Sequence, residues 1–357
     1  MKAIIIAGGL GTRLRPLTDN VPKPIVPIVN KPFLIHQVEH LIAHGVTEVI
    51  VNLHYLSEEI KKLMGDGSRW GIKIFYSIEE SPLGTAGAVK NAEQFFGTDP
   101  MIICNADVLT DLNISALVNF HHEKKAVVTL TLKEVEDPTA FGLVVMDKTG
   151  RVTKFLEKPG WDIINQEKSR TINAGTYVCN PSIFAYVPKG KRFMFEHDLY
   201  PLLLEKGEPI FGYISDSYWL DIGNPEKYKE AHEAVLRKAV SVKIEGAKLD
   251  DKIWLGEGCQ IDESAKLPGP VVLGNKVKVG RGSELRDYVT VGDNVQIGHH
   301  CCLDRVIIWA DCRIENNVRL SDCIIGKGCV IEDNVVIEHG AVLADGSIVK
   351  KGSKISA

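Results

Sequence analysis

Long apolar runs are missing from this 357-residue chain. No stretch approaches the roughly 18 apolar residues of a membrane span. The N-terminal run Ile4-Ile5-Ile6-Ala7 is too short for the apolar core of a signal peptide, and Gly8 and Gly9 break it at once. No excess of one charge is present either. A balance of 42 basic against 46 acidic residues leaves a net charge of −4, which argues against non-specific nucleic-acid binding. The eight cysteines, at 104, 179, 259, 301, 302, 312, 323 and 329, include no Cys-x-x-Cys pair. That disfavours a zinc site, and free thiols in a reducing compartment are expected. Neither a Ser-His-Asp nor a Cys-His set stands out. These absences lead us to expect a cytoplasmic protein without membrane or nucleic-acid partners. The length suggests two domains, and 45% hydrophobic residues suffice for their cores.

What is present is concentrated first in residues 4 to 24, IIIAGGLGTRLRPLTDNVPKP. An apolar run of strand length ends in Gly8, Gly9 and Gly11, followed by Thr12 and Arg13 and, ten residues on, by Lys23 between two prolines. Glycines after a strand let backbone N–H groups approach an anionic ligand, and the Arg and Lys add fixed positive charge. This is equipment for a polyphosphate. It is neither a P-loop, since Gly11 is followed by Thr12-Arg13 rather than the required Gly-Lys-Ser/Thr arrangement, nor a dinucleotide fingerprint, since the third glycine is absent.

Two halves of the chain have different periods. Up to about residue 235, strand-like runs (Ile4–Ala7, Glu48–Asn52, Lys73–Ser77, Met101–Cys104, Val127–Leu132) alternate with helical segments (31–44, 57–65, 85–96, 113–123). Alternation of this kind implies an α/β fold with a mostly parallel sheet covered on both faces, and ligands bind beyond the carboxyl ends of such strands. From about 250, apolar anchors recur every six residues: Leu255, Ile261, Leu267, Leu273, Val279, Leu285, Val291, Ile297, Leu303 and Trp309. After two one-residue slips through Ile314 and Leu320 the series resumes at Ile325 and runs to Ile355. Two positions before most anchors sits a small or β-branched residue, Ile307 and Cys259, Cys301, Cys312, Cys323 and Cys329 among them. A fixed six-residue repeat means a β-solenoid, and the slips should distort it locally. The expected boundaries are a first domain over 1–238, ending in a helix over Glu226–Lys238, a linker over 239–251, and a β-helix over 252–357.

The first loop resembles the signature of sugar-nucleotide pyrophosphorylases, GGxGTRLxPLT…PKP, and further landmarks of that family follow in order. They are Glu79-Glu80-Ser81-Pro82-Leu83-Gly84-Thr85-Ala86-Gly87, Asn105-Ala106-Asp107, Phe141-Gly142, Glu157-Lys158-Pro159, Asn173-Ala174-Gly175 and Trp219-Leu220-Asp221-Ile222-Gly223. The solenoid resembles the hexapeptide left-handed β-helix, three hexads to a coil. The family implies a Rossmann-like nucleotidyltransferase fold and transfer of a nucleotidyl group from an NTP to a sugar 1-phosphate, with release of pyrophosphate. A phosphate monoester is largely a dianion at pH 7 and can attack without a general base, so the protein's task is to align polyanions and neutralise them.

The resemblance implies roles residue by residue. Gly8, Gly9, Gly11 and Thr12 would cradle the nucleotide. Arg13 would stabilise the pyrophosphate leaving group, Lys23 would reach the α-phosphate, and Lys158 would lie near the sugar phosphate. Asp107 and Asp221 would hold Mg²⁺. Gly142, Glu157, Asn173 and Gly175 match the sugar pocket, and Glu79, Gly84 and Thr85 the base pocket. Thymidylyl members carry Gln where this chain has Glu79. A carboxylate only accepts hydrogen bonds and suits the paired N1–H and N2–H donors of guanine, so the chain looks most like the mannose-1-phosphate guanylyltransferases, with GTP and mannose 1-phosphate favoured. Other readings are a glucose-1-phosphate uridylyl- or thymidylyltransferase, a bifunctional enzyme whose β-helix is a CoA-dependent acyltransferase, and a non-catalytic regulatory subunit that binds sugar nucleotide. His36, His40 and His44 share a helix face but complete no metal set. Self-association is expected through the β-helix, whose terminal coils need covering.

Overall fold

Apolar β-branched runs buried on both faces make the interior strands of the first sheet. In the computed structural model, which describes residues 1–356, Ile4 and Ile5 on the strand Lys2–Ile6 are fully buried, as are Val49, Ile50 and Val51 on Glu48–Leu53. These strands belong to a nine-stranded sheet. Lys2–Ile6 lies between Glu48–Leu53 and Met101–Asn105, parallel to both, and Lys73–Ile78 extends the parallel half beyond Glu48–Leu53. Thr171–Cys179 then pairs antiparallel with Met101–Asn105 and with Val128–Glu134, and the hairpin Gly142–Met146/Val152–Glu157 continues that side. The sheet is therefore mixed, its parallel half carrying the glycine loop. Helices form where expected, over Phe33–Ala43, Ser57–Met64, Gly84–Asn91 and Ile114–Lys124. The segment expected to be helical to 96 closes instead with a 3₁₀ turn over Glu93–Phe95.

Residues 253–356 form a parallel β-helix. Ile253–Leu255, Val271–Leu273 and Val289–Val291 stack in register at 18-residue intervals, and Gln260–Ile261, Lys278–Val279 and Gln296–Ile297 stack on another face. The inward column residues make one core. Cys301, Cys312, Cys323 and Cys329 are buried in it and Cys259 packs against it, as the spacing requires. All eight cysteines are free thiols. The short strand Ala247–Lys248, within the expected linker, pairs antiparallel with Ile253–Leu255.

The two slips are real, but the first lies earlier than the hydrophobic pattern suggests. Val291 pairs with Ile308, not Trp309, and Ile308 with Ile325, so two successive coils have 17 residues. Val306 and Ile308 face the core while Ile307 and Trp309 do not join it. Trp309 stands where other coils carry the glycine that follows an anchor. Hydrophobicity alone cannot choose between adjacent isoleucine and tryptophan. The indole N–H decides, because a buried donor needs a partner and Trp309 Nε1 finds the Tyr228 hydroxyl at 3.0 Å.

The chain divides into two compact units, and the division does not follow sequence order. One comprises Met1–Leu10 and Gln37–Asp221; the other comprises Gly11–His36 and Ile222–Ala357. The second unit thus joins the Arg13–Lys23 segment, the helix Pro225–Leu236 and the β-helix. That helix begins at Asn224, whose side chain caps the Lys227 N–H at 2.8 Å, with Pro225 at the first turn. Among the described residues no helix is long and apolar enough to cross a membrane.

Candidate active site

In the first unit the chemistry-bearing residues gather at the carboxyl ends of the parallel strands. Gly8 follows Lys2–Ile6, Glu79 follows Lys73–Ile78, and Asp107 follows Met101–Asn105. Gly8 is hemmed in: a methyl group there would stand 3.3 Å from Asn52 Oδ1 and 3.6 Å from Glu79 Oε1, whereas Gly9 opens onto free space. Glu79 is buried, at 7% exposure, so its carboxylate is not a solvated surface charge. Its Oε2 accepts the Leu83 N–H at 2.8 Å, which leaves Oε1 on the Gly8 side. The Asn52 amide beside it is fully buried, and neither of its polar atoms has a hydrogen-bond partner among the described residues. Sequence reasoning misses Asn52, since no spacing marks it.

Gly84, at φ +74°, and Thr85 open the helix that follows Glu79. A side chain at Gly84 would strike the Phe193 carbonyl, 2.8 Å away. The Thr85 hydroxyl donates to Glu196 Oε2 at 2.9 Å and accepts from the Phe195 N–H at 2.9 Å. Burial pushes the Glu196 carboxyl up from its ordinary value, and the charge of Glu157 adds to the shift. Glu196 lies in a π-helical turn, Phe195–Leu199, a geometry frequent at functional sites. It too escapes a reading from the sequence.

Asp107 and Asp221 are brought together by register. Val108–Thr110 pairs antiparallel with Trp219–Asp221, and Asp221 faces Val108, the neighbour of Asp107. The Trp219 indole N–H holds this strand by donating to the Ala174 carbonyl at 2.9 Å. Among the described residues no cluster of three or more His, Cys, Asp or Glu is present. His36 Nε2 donates to the Ile28 carbonyl at 3.0 Å and His40 Nε2 to the Leu112 carbonyl at 2.9 Å, each to its own backbone partner.

The residues matched to a sugar pocket also lie on neighbouring strands. Glu157 faces Gly142 across the hairpin. The room at Gly142 is taken by Phe155 and Glu157, whose atoms would lie 2.5 and 3.0 Å from an added methyl. Lys158 is exposed, its ammonium 3.7 Å from Glu157 Oε1. The Asn173 amide accepts from the Gly175 N–H at 3.2 Å and donates to the Tyr177 hydroxyl at 2.9 Å. Gly175, at φ +75°, lets the Asn105 side chain approach within 2.8 Å of where its Cβ would be.

In the second unit, Gly11 adopts φ +64° and packs on Lys23, whose Cβ lies 2.9 Å from the place of an added methyl. The Thr18 hydroxyl donates to the Gly11 carbonyl at 2.8 Å. Thr12 and Arg13 lie in a 3₁₀ turn over Thr12–Leu14, and Lys23 opens another over Lys23–Ile25. The Arg13 guanidinium lies against Gly223, with Nη1 3.2 Å from where a Cβ would stand.

Residues 2–238 match the nucleotidyl transferase family, and residues 250–355 match the left-handed β-helix (LbH) domain of the eIF2B epsilon subunit. A UTP–glucose-1-phosphate uridylyltransferase from Synechocystis sp. is 35% identical over 72% of this chain and 69% of its own length. A mannose-1-phosphate guanylyltransferase from Mycobacterium tuberculosis is 38% identical over 66% of this chain and 64% of its own length. Thus the chain spans just under two thirds of the second relative. Among solved structures, HddC from Yersinia pseudotuberculosis complexed with GMP-PN has a TM-score of 0.55 and 31% identity, over 64% of this chain and 97% of that one.

Proposed function

The chain belongs to the nucleotidyl transferase family, and we propose that it transfers the nucleotidyl group of an NTP, GTP by preference, to a sugar 1-phosphate, mannose 1-phosphate by preference. The sugar phosphate oxygen attacks the α-phosphorus, the bond to the β-phosphate bridging oxygen breaks, and pyrophosphate leaves. The dianionic nucleophile needs no general base. Gly8, Gly9, Gly11 and Thr12 receive the nucleotide, Arg13 and Lys23 offset the phosphate charge, and Lys158 attends the sugar phosphate. Glu157, Asn173, Gly142 and Gly175 frame the sugar.

The observation that carries the guanylyl reading is Glu79, a buried carboxylate beside Gly8 with Oε1 outside the Leu83 bond. Guanine offers it two donors; thymine and uracil offer one donor flanked by carbonyls. The solved HddC complex holds a guanine nucleotide analogue, which is consistent with it. The Synechocystis relative's uridylyl name is the reason to keep UTP with glucose 1-phosphate as the second reading.

Asp107 and Asp221 would hold a divalent cation, Mg²⁺ in our reading. Two carboxylates, one in the turn just before Val108–Thr110 and one at the end of the strand paired with it, fit an ion that binds hard oxygens, takes one or two protein carboxylates and completes its shell with phosphates and water. Such an ion supplies charge neutralisation at the phosphoryl oxygens.

The test is pyrophosphate release with each of four NTPs against mannose and glucose 1-phosphates, with Asp221→Asn as the control for loss of turnover. GTP with mannose 1-phosphate should give the highest kcat/KM. A preference for UTP or dTTP removes the guanylyl assignment, and no release with any pair removes the transferase reading.

A further inference from the structure

The segment that carries Arg13 and Lys23 is fastened to the β-helix. Asn30 Nδ2 donates to the Val291 carbonyl of a coil at 2.7 Å. The Pro27 carbonyl, four residues beyond Lys23, accepts from both the Tyr228 hydroxyl at 2.5 Å and His232 Nε2 at 3.1 Å. Both donors stand on the helix Pro225–Leu236, and both are gripped from the solenoid: Trp309 Nε1 donates to the Tyr228 hydroxyl, and the Thr290 hydroxyl donates to His232 Nδ1 at 3.2 Å. Burial pushes His232 down to about 3, so the ring is neutral and one nitrogen is free to accept while the other donates. A second tie runs from Lys229 to Asp322, at 2.7 Å.

The solenoid is adapted for this grip. Thr290 points away from the solenoid core, in a column with Val272, Ile307 and Ile324, yet all four are at most 3% exposed. Trp309 leaves the core because its coil is one residue short. The repeat is broken where it reaches the helix.

We propose that the β-helix is a positioning device for the phosphate-binding segment: Thr290 and Trp309, acting through His232 and Tyr228, hold the Pro27 backbone and with it the turn on which Lys23 stands. The proposal rests on the reading of Lys23 as a phosphate ligand. Alignment of reacting groups is worth much of the barrier, and a displacement of about 1 Å can cost on the order of 100-fold in rate. The solenoid thereby acts on turnover within one chain, whatever it does in assembly.

The test uses the full chain with Thr290→Val, which removes one hydroxyl at nearly constant volume, and Trp309→Phe, which removes the indole N–H together with part of a buried ring. We expect kcat to fall about tenfold or more at temperatures well below melting. Amide hydrogen exchange over 22–30 should accelerate, and Thr290→Ser, which keeps the hydroxyl, should restore turnover. Tyr228→Phe added to Trp309→Phe should cost little more, since both break one chain of bonds. A lowered melting temperature with wild-type kcat in both variants would overturn the proposal and leave a purely structural contact. Lys23→Ala separates the two layers. If it turns over normally, the reading of Lys23 fails and the proposal with it. If it is inactive while Trp309→Phe and Thr290→Val match wild type, only the positioning proposal fails.

Discussion

Glu79 has two oxygens in different circumstances. Oε2 is committed to the Leu83 N–H, whereas Oε1 lies toward Gly8. Glu79→Gln can keep the Leu83 bond through its carbonyl oxygen and place an amide NH₂ on the Gly8 side. That donor would oppose the N1–H and N2–H of guanine but meet a carbonyl of thymine or uracil. An unpaired buried polar group costs about 1–3 kcal/mol, so the ratio of kcat/KM for GTP to that for dTTP or UTP should fall roughly 5- to 150-fold. Parallel kinetics with all four NTPs at fixed sugar 1-phosphate check this. An unchanged ratio would remove Glu79 from base recognition. The neighbours were unequally legible. Glu79, Asp107 and Asp221 lie in motifs whose residue types match their chemistry. Asn52 and Glu196 are placed by strand register and a π-helical turn, which no local pattern announces.

At the scale of elements, the strands of the parallel half could be read to within a residue or two because burial on both faces demands continuous β-branched runs. The antiparallel side was harder, since a strand such as Thr171–Cys179 pairs with three partners that only the tertiary fold selects. The solenoid is legible through its period except at Trp309, where an anchor and an outward aromatic look alike in hydrophobicity. The glycines that follow its anchors are required by stacking rather than by backbone conformation. A methyl on Gly292 would lie 2.6 Å from the Ala310 nitrogen and 2.8 Å from the Trp309 carbonyl carbon, atoms of the next coil that cannot swing away. Gly292→Ala should therefore destabilise by about 1–3 kcal/mol, the usual cost of overpacking. Thermal unfolding monitored in the β-sheet circular dichroism band checks it, and an unaltered melting temperature would show that the coils can part without cost.

For the whole molecule the open question is how the proposed self-association divides from the proposed positioning role. One outward column of the solenoid runs Gln260, Lys278, Gln296, Arg313, Val330, Ile348. It is polar through its first four members and apolar in the last two, and Ile348 is 59% exposed. Ile348 stands on the last coil of this face, the end of the stack that a second copy would cover. Truncation after Lys243 is a poor probe of this, because it also removes Val291, Thr290 and Trp309, the partners of the Lys23 segment, and would slow turnover for that reason. Ile348→Lys continues the polar column and leaves those partners in place. By light scattering, the wild-type chain should have a mass that is a multiple of its 39.4 kDa, and Ile348→Lys should reduce it. Turnover per chain should be retained in this variant, in contrast to Trp309→Phe, which should keep the assembly and lose turnover. Equal masses for wild type and Ile348→Lys would exclude this coil as the interface, and joint loss of mass and turnover would mean that assembly, rather than the contact within one chain, holds the phosphate-binding segment in place.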